Sequence, residues 1–176
     1  AACAALAEHF RTLLPTGGNL LDLMSSWVSH LPEDVAYDRV CGLGMNQIEL
    51  DANPRLTDTV IHNLTSDAPL PFADGEFDGC MITVSVQYLT RPVAVFGDIA
   101  RVLRTGAPCA VSFSNRCFPT KAVAIWRNLG DGGHARLVAN YFSETGRFET
   151  PEFADLSPDP GRTDPLYMVT ARRAPG

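Results

Sequence analysis

Five short apolar runs, each closed by a turn or a helical pattern, constrain this chain more than any other feature. They are NLLDLM (19–24), DRVCGLG (38–44), DTVIHNL (58–64), DGCMITVS (78–85) and APCAVSFS (107–114). Runs of that length without polar alternation predict strands buried on both faces, and their interleaving with helices predicts a parallel sheet. Helices are expected over 1–14, where Leu6, Phe10, Leu13 and Leu14 recur at helical spacing before Pro15, and over 93–104, where Val95, Phe96, Ile99, Val102 and Leu103 share a face ahead of Gly106. Two more are expected over 121–129 and 134–145. RFETPEFADL (147–156) and LYMVTARR (166–173) read as a closing strand pair. The expectation is an α/β fold, a doubly wound, mostly parallel seven-stranded sheet with helices on both faces and one antiparallel C-terminal strand. Residues 1–176 make a single domain, with a lead-in helix over 1–18 and the core over 19–176.

Charge and cysteine usage narrow the function classes. A formal charge of −6 provides no general attraction for phosphate backbones, so nucleic acid is not an expected partner. No apolar run approaches the roughly 20 residues that span a bilayer, so no membrane role is expected. The five cysteines are widely spaced and form no C-x-x-C pair. Cys41, Cys80 and Cys109 lie in apolar runs and read as reduced core residues, which fits the cytoplasm. An organelle matrix stays open because the chain opens on Ala1 rather than Met. No histidine has company at ligand spacing, so no metal site is expected.

PLPFADGEFDGCMITVSVQYL (69–89), RVLRTGAPCAVSFSN (101–115) and the seven-strand order together resemble the class I, Rossmann-like S-adenosylmethionine-dependent methyltransferases of methyltransferase type 11 likeness. DLMSSWVSHLP, GLGMN and SNRCFPTKAVAIW look like a small subgroup with a degenerate glycine-rich turn. The resemblance implies S-adenosylmethionine as cofactor and methyl transfer to a small molecule or a protein side chain. It also implies where the cofactor lies, outside the carboxyl ends of the strands where their order reverses. The glycine turn of the family maps onto Asp22, Leu23, Met24, Ser25, Ser26, Trp27, Val28 and Ser29, of which only the acid is retained. A Ser-Ser turn opening a helix can still hold a carboxylate.

The acid that ends strand two in the family falls on Gly44, followed by Met45 and Asn46. Asn46 can bind ribose or cap the next helix, and the cap is favoured; Glu49 reads as solvated helix surface. The adenine position maps onto Asn63 or Asp67, with Leu64 beside the ring. Ser85, Val86 and Tyr88 follow strand four, where Tyr88 either faces a sulfonium cation or packs under the next helix. The cofactor-binding set implied is therefore Asp22, Met24, Ser25, Ser26, Gly44, Met45, Asn46, Asn63, Leu64, Ser85 and Val86. Tyr88 and His30 are the catalytic candidates, His30 with a structural alternative. Arg116 and Lys121, after strand five, can receive an anionic group of the substrate or sit exposed on a helix start. His62 reads as structural.

The missing glycines and the missing ribose acid motivate an alternative: a catalytically inactive domain that binds a protein partner or serves assembly. In that case Trp27 and Met24 should fill the cofactor volume. A nicotinamide enzyme is disfavoured because no G-x-G-x-x-G follows any strand.

Overall fold

The computed structural model describes residues 1–66 and 69–176. In chain order the elements are α1 (Ala2–Leu13), β1 (Asn19–Leu23), β2 (Arg39–Gly44), α2 (Gln47–Ala52), β3 (Asp58–Ile61), β4 (Gly79–Thr83), a 3-10 turn at Val86–Tyr88, α3 (Pro92–Val102), β5 (Pro108–Phe113), α4 (Ala124–Arg127), α5 (Asp131–Glu144), β6 (Glu152–Asp155) and β7 (Tyr167–Arg172). All seven strands join one sheet in the order β3-β2-β1-β4-β5-β7-β6. β1 to β5 pair in parallel, and β7 runs antiparallel to both of its neighbours. The strand order reverses between β1 and β4, which opens a crevice at their carboxyl ends.

Alternate strand residues build a core on each face. Leu6 and Phe10 of α1 pack with Leu20, Val40, Met81, Ala110 and Met168 on one side. Phe96 and Ile99 of α3, with Val138 and Phe142 of α5, pack on the other against Leu21, Leu23, Cys80 and Val111. Cys41, Cys80 and Cys109 are free and buried, as their apolar surroundings predict.

The L-P-F-x-D-x-x-F-D stretch proves to be a latch between the loop before β4 and α3. Arg101 donates to the Leu70 carbonyl at 2.9 Å and the Phe72 carbonyl at 2.7 Å, and it pairs with Asp74 at 2.9 Å. Asp98 accepts the Leu70 amide, Phe77 is fully buried, and Arg104 pairs with Asp78 at 2.6 Å. The motif holds the edge of β4 in place and contributes nothing to the crevice.

Two expected helices differ. The 121–129 helix contracts to Ala124–Arg127 because Lys121 and Ala122 turn back onto the Phe118 carbonyl before the helix begins. Nothing helical follows β1: residues 24–38 cross to β2 as loop, so the expected helix N-terminus behind Ser25 and Ser26 does not exist.

Candidate functional site

A cleft of about 390 Å³ lies over the carboxyl ends of β1 to β4. Its wall includes Met24, Ser25 and Ser26 after β1, Gly44, Met45 and Asn46 after β2, Asn63 and Leu64 after β3, Ser85 and Tyr88 after β4, and Lys121 from the segment after β5. Most of the residues expected at a cofactor site are thus gathered around one space. Asp22, Val86, His30 and Arg116 are not, and Asp67 lies outside the described residues.

The turn after β1 is held by side chains where the family would use bare backbone. Met24 takes φ +59°, a left-handed conformation that glycine adopts without strain. Ser25 N–H then donates to the Leu43 carbonyl at 2.9 Å, carrying the β1–β2 pairing one residue further. Asp22, buried at 3% exposure, accepts hydroxyl hydrogen bonds on Oδ2 from Ser25 at 2.7 Å and Ser29 at 2.6 Å. Asn53 Nδ2 ties the far side of the loop by donating to the Ser26 carbonyl at 2.8 Å and to Ser29 Oγ at 3.0 Å. Asp22 therefore organises the loop from beneath rather than lining the cleft. Burial pushes its carboxyl up to about 6, against the opposing effect of the two serine hydroxyls.

Gly44 is required by close approach: a Cβ there would lie 2.7 Å from the Ser25 carbonyl oxygen. The place of an acid at the end of β2 is thereby taken by the neighbouring loop. The carboxylate that does reach the cleft is Glu49, one turn into α2. Its Oε2 accepts the Ser26 hydroxyl at 2.7 Å and its Oε1 accepts Asn46 Nδ2 at 3.1 Å. Asn46 is the helix cap, its Oδ1 accepting from the amides of Ile48 at 3.1 Å and Glu49 at 3.4 Å. The Asn-x-x-Glu spacing is the sequence signal for this reciprocal arrangement, and it places Glu49 beside the cleft.

Across the cleft, Asn63 Oδ1 accepts the Thr65 amide at 2.9 Å, closing the turn after β3. His62 lines the same wall, and its buried Nε2 has no partner. An orphaned ring nitrogen on a cleft wall is a binding signal that position in the sequence alone does not carry. Tyr88 lines the cleft with its ring, while its hydroxyl oxygen accepts the Phe118 amide at 3.1 Å and so holds the 114–123 segment. Lys121 stands nearby with Nζ 5.6 Å from the Phe118 ring centre.

Four expected residues are placed elsewhere. Val86 is 1% exposed because the 3-10 turn points it into the core. Arg116 points outward to pair with Asp164 at 2.7 Å. His30, in the loop at φ +57°, borders two other hollows and does not meet Tyr88, and burial lowers its pKa. Asp22 lies below the turn as described. Trp27 is 52% exposed and leaves the cleft open, whereas Met24 forms part of its wall.

Residues 27–111 match the methyltransferase domain family, a match that leaves β1 and the turn after it outside. No curated protein sequence matches the chain. Among solved structures, the [4+2]-cyclase SpnF is similar at TM-score 0.71 and 16% identity, over 97% of this chain and 81% of that one. A chain of the Haloferax volcanii complex that contains the Trm112 methyltransferase activator is similar at TM-score 0.70 and 15% identity, over 97% and 90%. An S-adenosylmethionine-dependent methyltransferase from Mesorhizobium loti gives TM-score 0.67 and 15% identity, over 97% and 98%. At these identities the structures share a fold with this chain. The neighbours include a cyclase as well as a methyltransferase, so the fold does not by itself choose the reaction.

Proposed function

We propose that this chain, whose residues 27–111 match the methyltransferase domain family, binds S-adenosylmethionine in the cleft over β1 to β4 and transfers its methyl group to a small molecule or a protein side chain. One observation carries the reading: a single cleft collects polar and apolar side chains from the ends of four adjacent strands at the point where their order reverses.

The residues present suit such a group. Leu64 and Met45 offer apolar walls for a planar base, and the orphaned His62 Nε2 is available to a ring nitrogen or amine. The Glu49 carboxylate can accept sugar hydroxyls from its position on α2. Lys121 can receive the cofactor carboxylate, and the Tyr88 ring is suited to a neighbouring cation. The bound cofactor supplies an electrophilic methyl group on a sulfonium sulfur. The chain's own task is to hold the reacting partners in line, which needs rigid walls more than acid–base groups. The Asp22–Ser25–Ser29 network below the turn and the Tyr88–Phe118 bond beside it provide that rigidity.

Calorimetric titration with S-adenosylmethionine and S-adenosylhomocysteine, with NADH as control, tests the reading. Micromolar binding of the first two is expected, weakened about tenfold by Glu49→Gln and by Lys121→Ala, the loss of one charge-assisted contact each. No heat from folded protein would overturn it. A second reading, a non-catalytic module bound to a protein partner, is favoured by the turn itself: the Ser25 and Ser26 hydroxyls are spent on Asp22 and Glu49 rather than offered to a ligand. That outcome would direct attention to a partner, as in the activator complex of the Haloferax volcanii neighbour.

A further inference from the structure

A second cleft, of about 250 Å³, shares Met24, Ser25 and Ser26 with the first and lies at the carboxyl ends of β1 and β4. Asp22, Trp27, His30, Thr83 and Val84 contribute to its wall. It borders the loop that replaces a helix between β1 and β2, and it carries an unusual concentration of strain. Among the described residues, Met24 (φ +59°), His30 (φ +57°) and Val84 (φ +50°) are the non-glycine residues in left-handed backbone, and all three line it. For β-branched Val84 this is a marked outlier, and backbone held in such conformations clusters where ligands are handled.

The wall also has unspent polar capacity. Asp22 Oδ2 takes both serine hydroxyls, while Oδ1 takes no hydrogen bond from any described residue. His30 Nδ1 and Thr83 Oγ1 are buried without partners, as is Ser112 Oγ on the strand position paired with Thr83. No lysine or arginine among the described residues lines the cleft, so nothing there attracts an anion. A carboxylate and a half-exposed indole on the wall of one cleft are instead the pairing that holds an ammonium group, through the charge of the one and the ring quadrupole of the other.

We propose that this second cleft binds a small amine, its nitrogen held between the Asp22 carboxylate and the Trp27 ring with Thr83 and His30 as further hydrogen-bond partners. The amine's part as methyl acceptor rests on the reading above; its binding does not. Asp22 Oδ1 is also the atom to which the ammonium can give the proton it must lose to become nucleophilic. The titratable groups beside Asp22 are His30, which shares the cleft wall, and the buried Cys80; as pH falls the carboxyl, raised to about 6, loses its charge and His30, lowered by burial, gains one, and both changes should weaken amine binding.

The test is a titration of the nitrogen-15-labelled chain at pH 7.5 with propylamine, using propanol and propionate as neutral and anionic probes of nearly the same shape. Propylamine is expected to move the Trp27 indole N–H signal and not that of buried Trp126, with at least tenfold tighter binding than propanol and none from propionate. Asp22→Asn and Trp27→Leu, followed at the His30 imidazole, should each weaken propylamine at least tenfold. Equal response to the three probes, or unchanged propylamine binding in both variants, would overturn the site. Amine binding without cofactor binding would keep this cleft and sink methyl transfer, and cofactor binding without amine binding would do the reverse.

Discussion

Asp22 marks the difference between a residue type and its role. An acid at the end of β1 is what the family pattern leads one to expect, but here it is sunk beneath the turn with two serine hydroxyls on one oxygen and a pKa pushed up to about 6. A carboxyl raised in the folded state gives stability that is complete below the unfolded value and is lost as pH rises through about 6. The ionised form at pH 7 should cost on the order of 3 kcal/mol relative to the protonated one. Asp22→Asn is therefore expected to remove the decline in Tm between pH 4 and 7 and to melt roughly 5–10 °C higher at pH 7, measured by calorimetry. Gly44→Ala should move stability the other way, because its Cβ meets the Ser25 carbonyl at 2.7 Å. A loss of about 1–3 kcal/mol in urea unfolding is expected, with weaker cofactor binding as the turn is pushed into the cleft.

At the scale of elements, the loop over 24–38 replaces repetitive backbone hydrogen bonding with a few side chains. Asn53, 4% exposed, serves two of its acceptors from outside the loop, the Ser26 carbonyl and Ser29 Oγ. Asn53→Ala leaves buried acceptors without partners, at about 1–3 kcal/mol. Hydrogen exchange should locate that loss: amides of residues 25–30 should exchange faster while β4 and β5 stay protected. Helix α2 is the complementary case, because a six-residue helix depends on its cap. Asn46→Ala should cost about 1 kcal/mol and release Glu49 from Asn46 Nδ2, so stability and cofactor affinity should fall together.

For the whole molecule, the two cores share one sheet, so loss on either face should unfold both. Phe10→Ala in α1 and Phe96→Ala in α3, each fully buried, should cost about 3–5 kcal/mol and still melt in one transition by circular dichroism and tryptophan fluorescence alike. Strands β1 to β5 and α3 were legible because burial on both faces and a one-sided apolar stripe are written in consecutive residues. The same local reading lengthened α4 and expected a helix behind Ser25, since neither turn betrays in sequence that Lys121 folds back onto Phe118 or that Asp22, Ser29 and Asn53 close the loop. At the site, the strand ends pointed to Ser25, Gly44, Asn63 and Tyr88, which line one cleft, whereas Glu49, read as solvated helix surface, and His62, read as structural, line it as well. The sequence by itself determined which segments are strands, their residence in a covered parallel sheet and the end of that sheet where a cleft opens, because those follow from local hydrophobicity and chain direction. Only the tertiary structure decided which side chains face the cleft, because that depends on which loop packs against which strand end. There Ser25 fills the place of an acid, Glu49 reaches in from the next helix and Asp22 turns away.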